Sequence, residues 1–363
     1  MEQLITKPTL LLDKHKCKNN IKRMAFKAQQ KGLSLRPHFK THQSLEIGEW
    51  YKEFGVDKIC VSSLAMAEYF SSHWQDITVA FPVNILEIDS INSLASKITL
   101  NLLVESKEAA LYLKENVKHA LGVFIKIDVG YNRVGVQPSN LELIEEILNV
   151  FDSLDRLKFK GFLAHAGHTY NCRSKEEILQ VHEKAVRCLL PLKSKYESRY
   201  PESIISYGDT PSCSVTEDFE GIDEIRPGNF VFYDLAQAQI GSTTNDDIAV
   251  AMACPIVAIY KERNEIVIYG GGVHFSKDRL EDEAYGTIYG KVVQHTGVSW
   301  TKPIPNMYVS KLSQEHGTVH VPDSEISNYK IGDYLVILPV HACMTGHEMK
   351  SYYVESDKII SRL

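Results

Sequence analysis

The sequence predicts a (β/α)8 barrel, of the TIM type, followed by a mostly antiparallel β domain. Three observations lead there. Short β-type runs alternate with helical stretches through the first two-thirds of the chain, and such alternation implies parallel strands joined by right-handed crossovers. Eight of these runs fit into about 215 residues, the size of a closed barrel of eight units. After Gly241 the rhythm changes to β-type runs separated by turn residues, without long helices. A doubly wound open sheet is the structural alternative, because a strand count does not prove closure.

The barrel runs are 33–40, 58–62, 77–82, 98–104, 122–128, 159–165, 203–207 and 224–226. Helices fill most of the gaps. Cys17, Ile21, Met24, Ala25 and Ala28 form one apolar stripe at helical spacing, and Leu141, Ile144, Ile147, Leu148 and Phe151 form another. Ser106 and Asn140 are the expected N-caps of their helices. The polar segment 242–247 reads as a linker. Beyond it come runs at 250–260, 265–269, 306–311, 318–321 and 334–339, punctuated by Gly270-Gly271-Gly272 and Pro322-Asp323. The expected domains are therefore 12–241 and 242–363, with an N-terminal strand in 1–11 joining the second.

Composition narrows the function. The chain has 363 residues, 44% apolar and 24% charged, which are ordinary globular proportions. Forty basic residues against 46 acidic ones leave a net charge of −6, a poor match to a polyanion, so nucleic acid is not an expected partner. No apolar run approaches the roughly 18 residues of a membrane span, and the first residues lack an apolar signal core. Seven cysteines, an odd count without a Cys-x-x-Cys pair, read as reduced thiols in the cytoplasm.

A barrel carries its chemistry at the C-terminal ends of its strands. At those ends stand Arg36 to His42, Asp128 to Arg133, His165 to Tyr170, Tyr207 to Ser212 and Arg226 to Asn229. Lys40, at the end of an apolar run, is expected to be partly desolvated. Arg36 with His38 or His42 would lower its pKa further, and a neutral amine forms a Schiff base with an aldehyde. The ordinary alternative is a rim lysine reaching into water. The turns at Gly208 and Gly228, with Thr210 and Ser212 beside them, suit a phosphate, or simply make tight turns. His165 or His168 could stack on a planar ring, and Arg133 can reach back over the strand end. In the second domain, His341 and Cys343 would share a face if the strand at 334–339 stays extended. An imidazole and a thiolate suit zinc, and two ligands leave the open position of a catalytic site. Chance is the alternative for so short a motif.

Taken together, these blocks resemble the D-serine dehydratase and D-threonine aldolase family, fold-type III pyridoxal phosphate enzymes related to alanine racemase. The resemblance rests on Arg36-Pro37-His38-x-Lys40-Thr41-His42, Asp128-Val129-Gly130-Tyr131-Asn132-Arg133-Val134-Gly135 and Gly161-x-x-x-His165-Ala166-Gly167-His168-x-Tyr170. It continues through Thr210-Pro211-Ser212, the stretch from Ile225 to Asp234, Gln314-Glu315-His316-Gly317 and His341-Ala342-Cys343. It implies an alanine racemase-type barrel and a homodimer with shared active sites. It implies that Lys40 carries pyridoxal 5'-phosphate and that Arg133 lies near the phenolic oxygen. His165 would pack on the ring and Tyr170 approach its nitrogen, with Gly208, Thr210, Gly228 and Asn229 around the phosphate. His341 and Cys343 would be the metal pair, holding zinc in preference to magnesium or manganese. Dehydratase-type members tend to carry His-x-Cys here and aldolase-type members His-x-Asp.

The expected activity is therefore β-elimination from a small D-3-hydroxy amino acid, D-serine first, to pyruvate and ammonia. The first alternative is retro-aldol cleavage to glycine and an aldehyde, with His168 or His316 as the base for the hydroxyl proton. A racemase, a non-catalytic pyridoxal phosphate carrier and a barrel without cofactor are the remaining readings. Carriers lack a second domain, which residues 242–363 supply.

Overall fold

The computed structural model describes residues 5–354 and 358–363. The chain divides into two compact units, Lys22–Gly228 and Met1–Ile21 with Asn229–Leu363. The division falls after Gly228, not after Gly241. The physical reason lies in the hydrogen bonds of residues 229–249. Ala249 N donates to Phe232 O at 2.7 Å, and the Asn20 side chain donates to Asp247 O at 2.9 Å. These bonds tie that stretch to the β unit. Residues 1–4 of the expected N-terminal strand lie outside the described residues. Its remainder gives β1 (Thr9–Leu12).

Eight parallel strands build the first unit: β2 (Ser34–Leu35), β3 (Ile59–Val61), β4 (Asp76–Pro82), β5 (Thr99–Val104), β6 (Leu121–Ile127), β7 (Leu157–Ala164), β8 (Ile204–Tyr207) and β9 (Glu224–Ile225). Their order is β2-β9-β8-β7-β6-β5-β4-β3. The seam between β2 and β3 is closed just beyond β2, where Phe39 N donates to Cys60 O at 2.8 Å and Cys60 N to Pro37 O at 2.9 Å. All eight expected runs are present. The first is much shorter than 33–40, because Pro37 offers no ladder donor and turns the chain.

The helices around the barrel are α1 (Lys14–Gln30), α2 (Leu45–Lys52), α3 (Leu64–Ser71), α4 (Ile88–Ala95), α5 (Lys107–Asn116), α6 (Leu141–Asp152), α7 (Lys175–Tyr196) and α8 (Thr210–Val215). In α6, Ile144, Ile147, Leu148 and Phe151 are buried while Leu141 is exposed, so the stripe starts one turn late. Ser106 and Asn140 cap as expected, accepting from Ala109 N and Leu143 N.

The barrel interior carries a charged layer among its apolar ones. Arg36 donates to Glu224 at 2.8 Å and to Asp76 at 2.7 Å, and Asn101 also donates to Asp76. Ser206 donates to Glu224 at 2.6 Å and accepts from Arg226 Nε at 2.8 Å. Each buried charge thus has an opposite partner or a hydrogen bond, which is the condition for keeping it inside.

The second unit is the antiparallel one. It comprises β1 with β10 (Val250–Tyr260), β11 (Glu265–Tyr269), a small hairpin of β12 (Leu280–Asp282) and β13 (Gly286–Ile288), β14 (Gly290–His295), β15 (Trp300–Leu312), β16 (His316–His320), β17 (Tyr334–Pro339), β18 (Ser351–Val354) and β19 (Lys358–Ser361). The strand order β11-β16-β15-β14-β17-β10 closes on itself through β10–β11 pairing. One parallel pair, β1 with β18, extends it. Among the described residues no helix is long and apolar enough to cross a membrane.

Candidate active site

Register sets the mouth of the barrel. Ile127 pairs with Ala164, Leu163 with Ser206, and Tyr207 and Leu35 both with Ile225. The residues that follow these pairs therefore emerge on one rim. Lys40 sits there in a turn, not on a strand, and is exposed. This corrects the expectation of a desolvated strand-end amine. Phe39, fully buried, anchors the turn among His42, Tyr51, Phe70 and Trp74, with ring centroids 4.3–5.2 Å away. Lys40 N donates to His38 Nδ1, and Gln43 donates to Lys40 O at 3.0 Å. Arg36 and His42, expected beside Lys40, make their contacts elsewhere. Arg36 is spent on Glu224 and Asp76, and His42 lies in the aromatic cluster.

Basic groups crowd the mouth. Burial first, then the charges of Lys40, Arg226 and Arg133, hold His38 well below the usual imidazole range. Burial also dominates at His165, pushed down to about 3, with Lys40, Arg226 and Arg133 adding to it. His165 Nδ1 lies 3.1 Å from Gly208 O. A carbonyl only accepts, so Nδ1 carries the proton and Nε2 keeps its lone pair. Lys126 projects from β6 and is buried, donating to Ile127 O at 2.8 Å. Burial and then Arg226 lower its amine to about 7. The sequence reading missed Lys126. Its signal is a lysine inside an otherwise apolar run.

Arg133 is delivered by a loop that Asp128 shapes. Asp128 accepts from Gly130 N and Asn132 N at 3.0 Å and from Gln137 at 3.2 Å. The Arg133 guanidinium lies 4.9 Å from the Tyr131 ring centre. Tyr131 stacks on His168 at 6.1 Å and meets His165 edge-on. A side chain at Gly167 would strike the Tyr131 ring, 2.5 Å away. Tyr170 is 37% exposed on the short turn Gly167–Asn171.

The two glycine turns are joined to each other. Gly228 N donates to Thr210 Oγ1 at 3.2 Å. Gly208 has φ +134, and a Cβ there would meet Cys213 Sγ at 2.8 Å and Arg226 N at 3.0 Å. Asp209 caps α8, accepting from Ser212 N at 2.8 Å and from Thr169 Oγ1 at 2.9 Å. That helix amide is thus already taken and would not serve a phosphate. Burial pushes the Asp209 carboxyl up to about 6, against the bonds from Ser212 and Thr169. A carboxyl raised on folding favours the fold below its unfolded value of 3.8, and that stability is lost as pH rises through about 6. Asp209→Asn keeps a capping side chain. We expect urea unfolding to show the variant gaining stability relative to the parent between about pH 4 and pH 6, by up to about 3 kcal/mol. A parallel pH dependence of the two would contradict this.

In the β unit, the extended chain stops before the metal pair. His341 is the N-cap of the helix Ala342–Met349 and Cys343 lies in its first turn. The shared strand face expected for them is therefore wrong in conformation. Cys343 nevertheless lies close enough to His341 to raise its imidazole. His341 Nδ1 lies 3.2 Å from Asp278 Oδ2. Although burial works against it, Asp278, Cys343 and Asp234 raise His341 to about 11, a surrounding of negative groups that favours a cation. Asn229, expected at the phosphate, donates its amide to Asp234 at 2.7 Å and to Cys343 Sγ at 3.5 Å. His316 is exposed on β16, opposite Tyr269. Among the described residues no third acidic, thiol or imidazole group completes a metal cage.

Both groups implied by the resemblance fit. The barrel mouth offers an exposed amine, a positive field and two glycine turns to a phosphorylated aldehyde. The β unit offers an imidazole and a thiol within a negative surrounding to a divalent cation. Comparison with known proteins gives the same direction. Residues 12–235 match the family model described as "Alanine racemase, N-terminal domain", and residues 249–355 match "Putative serine dehydratase domain". The chain is similar to D-serine dehydratase of Dictyostelium discoideum, 31% identical over 96% of this chain and 92% of that one. The chain belongs to the D-serine dehydratase family.

Other relatives of this family share its full length. D-threo-3-hydroxyaspartate dehydratase of Delftia sp. HT23 is 26% identical, and its solved structure superposes with a TM-score of 0.91, covering 100% of this chain and 99% of that one. Two further structures of that dehydratase carry alanine in place of a cysteine, in a metal-free form, and in place of a histidine two positions earlier. D-threonine aldolase of Arthrobacter sp. is 24% identical over 97% of this chain and 90% of that one.

Proposed function

We propose that this protein is a lyase that eliminates water from a D-3-hydroxy amino acid, the released enamine then taking up water as it hydrolyses to a 2-oxo acid and ammonia, so that D-serine gives pyruvate and ammonia. The full-length match to a D-serine dehydratase carries this reading. Cys343 as partner of His341 supports it. So does the spacing of the histidine and cysteine replaced in the Delftia enzyme, which is that of His341 and Cys343.

Pyridoxal phosphate bound at the barrel mouth supplies an electron sink for the pair left at Cα, and zinc on His341 and Cys343 supplies a Lewis acid for the departing hydroxyl. Lys40 Nζ holds the cofactor at rest and, once free, removes the Cα proton. Its exposure in a turn anchored by buried Phe39 suits an amine that must exchange partners without moving its backbone. Arg133 and Arg226 set a positive field that favours anionic groups. His165 stays neutral, so it packs on the ring without adding charge. Gly208, Thr210 and Gly228 are the phosphate candidates, and Tyr170 the partner of the ring nitrogen. Asn229 serves the phosphate only through its backbone, since its side-chain amide is engaged with Asp234 and Cys343. A cytoplasmic homodimer with shared active sites is the setting we assign.

The rival is retro-aldol cleavage, for which His168 or His316 would take the hydroxyl proton. The test supplies the purified chain with pyridoxal phosphate and zinc, then D-serine, D-threonine or D-threo-3-hydroxyaspartate. The expected products are a 2-oxo acid and ammonia in equal amounts. Glycine with an aldehyde would establish the aldolase instead, and loss of chirality without either would establish a racemase.

A further inference from the structure

We propose that Asp278 is a positioning residue for the metal pair: it accepts the Nδ1 proton of His341 and so leaves Nε2 as the lone-pair nitrogen that binds the cation. The inference rests on the reading of His341 and Cys343 as ligands and adds to it the group that selects the tautomer. A neutral imidazole has one N–H and one lone pair, and whichever nitrogen faces a carboxylate keeps the proton. The Asp278 Oδ2 to His341 Nδ1 distance is 3.2 Å.

The carboxylate is itself held. Ser276 Oγ donates to Asp278 Oδ2 at 2.8 Å and accepts from Asp278 N at 3.2 Å. Ser276 has φ +69, in the left-handed region, which turns the chain so that these two residues face each other. Thr345 Oγ1, one turn beyond His341, donates to Phe275 O at 2.9 Å. The segment carrying Asp278 is thereby tied to the helix whose N-cap is His341. The sulfur side is built alike: buried Asp234 accepts from Ala342 N at 3.0 Å and from Asn229, whose amide also reaches Cys343 Sγ. Carboxylate partners of ligating histidines fix ring orientation and raise ligand basicity.

The test measures zinc affinity by chelator competition on the full chain loaded with pyridoxal phosphate, for the parent, Asp278→Ala, Asp278→Asn and Cys343→Ala. Cobalt(II) spectra of each report whether sulfur ligates. Asp278→Ala should weaken zinc by about 10–100-fold while keeping the cofactor absorbance and the cobalt–thiolate band. Asp278→Asn retains an acceptor oxygen and should stay within a few-fold of the parent. An Ala variant that binds zinc as tightly as the parent overturns the proposal. An Asn variant as weak as Ala also overturns it, because an acceptor for the Nδ1 proton would then not be what zinc binding depends on. Failure of the underlying reading looks different: Cys343→Ala would keep full zinc affinity, or the parent would bind none.

Discussion

Lys40→Ala, given pyridoxal phosphate and then desalted, should lose the absorbance of bound cofactor near the visible edge. Turnover should fall by at least about a thousandfold, since the variant loses both the tether and the base for the Cα proton. The fold should survive. Lys40 is exposed, and the turn is held by Phe39, by Gln43 on Lys40 O and by backbone bonds to Cys60. A thermal transition like the parent's would confirm that the loss is chemical. A variant that keeps both colour and turnover would refute the role of Lys40. Lys126 is the internal comparison: its amine is lowered to about 7 but it is buried and bonded to Ile127 O, so it should not substitute for Lys40.

Cys343→Ala should retain cofactor colour yet lose zinc and dehydration together. Hydroxide is a poor leaving group, and a Lewis acid on the departing oxygen is worth several kcal/mol, about a thousandfold in rate. One imidazole without its sulfur partner does not hold zinc against a chelator. Full elimination of water from D-serine by this variant in the presence of chelator would remove the metal from the account.

Much of the barrel was legible because parallel strands buried on both faces read as near-continuous apolar runs, as at 77–82, 98–104 and 122–128. The ends were less legible. The run at 33–40 looked like one strand, but Pro37 breaks it and leaves Lys40 in a turn. In the β unit, β14 was missed because Gly290, Lys291, Gln294 and His295 dilute its apolar signal. The hairpin of β12 and β13 was missed for the same reason, with Glu281, Asp282 and Gly286 in it.

At the candidate site, residue types at strand ends pointed to Lys40, Arg133 and His165, and the structure brings these to one mouth. The metal pair was legible as a motif but not as geometry. Cys343 enters a helix, whereas an extended chain was expected. Asp278 was invisible for a different reason: it stands 63 residues before His341, and only the fold makes them neighbours. Asn229 carried no sign in its sequence context that its amide would turn to a sulfur.

Every role assigned to the barrel mouth depends on the amine of Lys40 carrying the cofactor. Borohydride reduction of the pyridoxal phosphate-loaded protein fixes a carbonyl cofactor onto the amine that holds it, and peptide mass mapping then finds it. The pyridoxyl mass should appear on the peptide containing Lys40, in proportion to the cofactor bound. The same mass on Lys126 or another lysine, or on none, would contradict it.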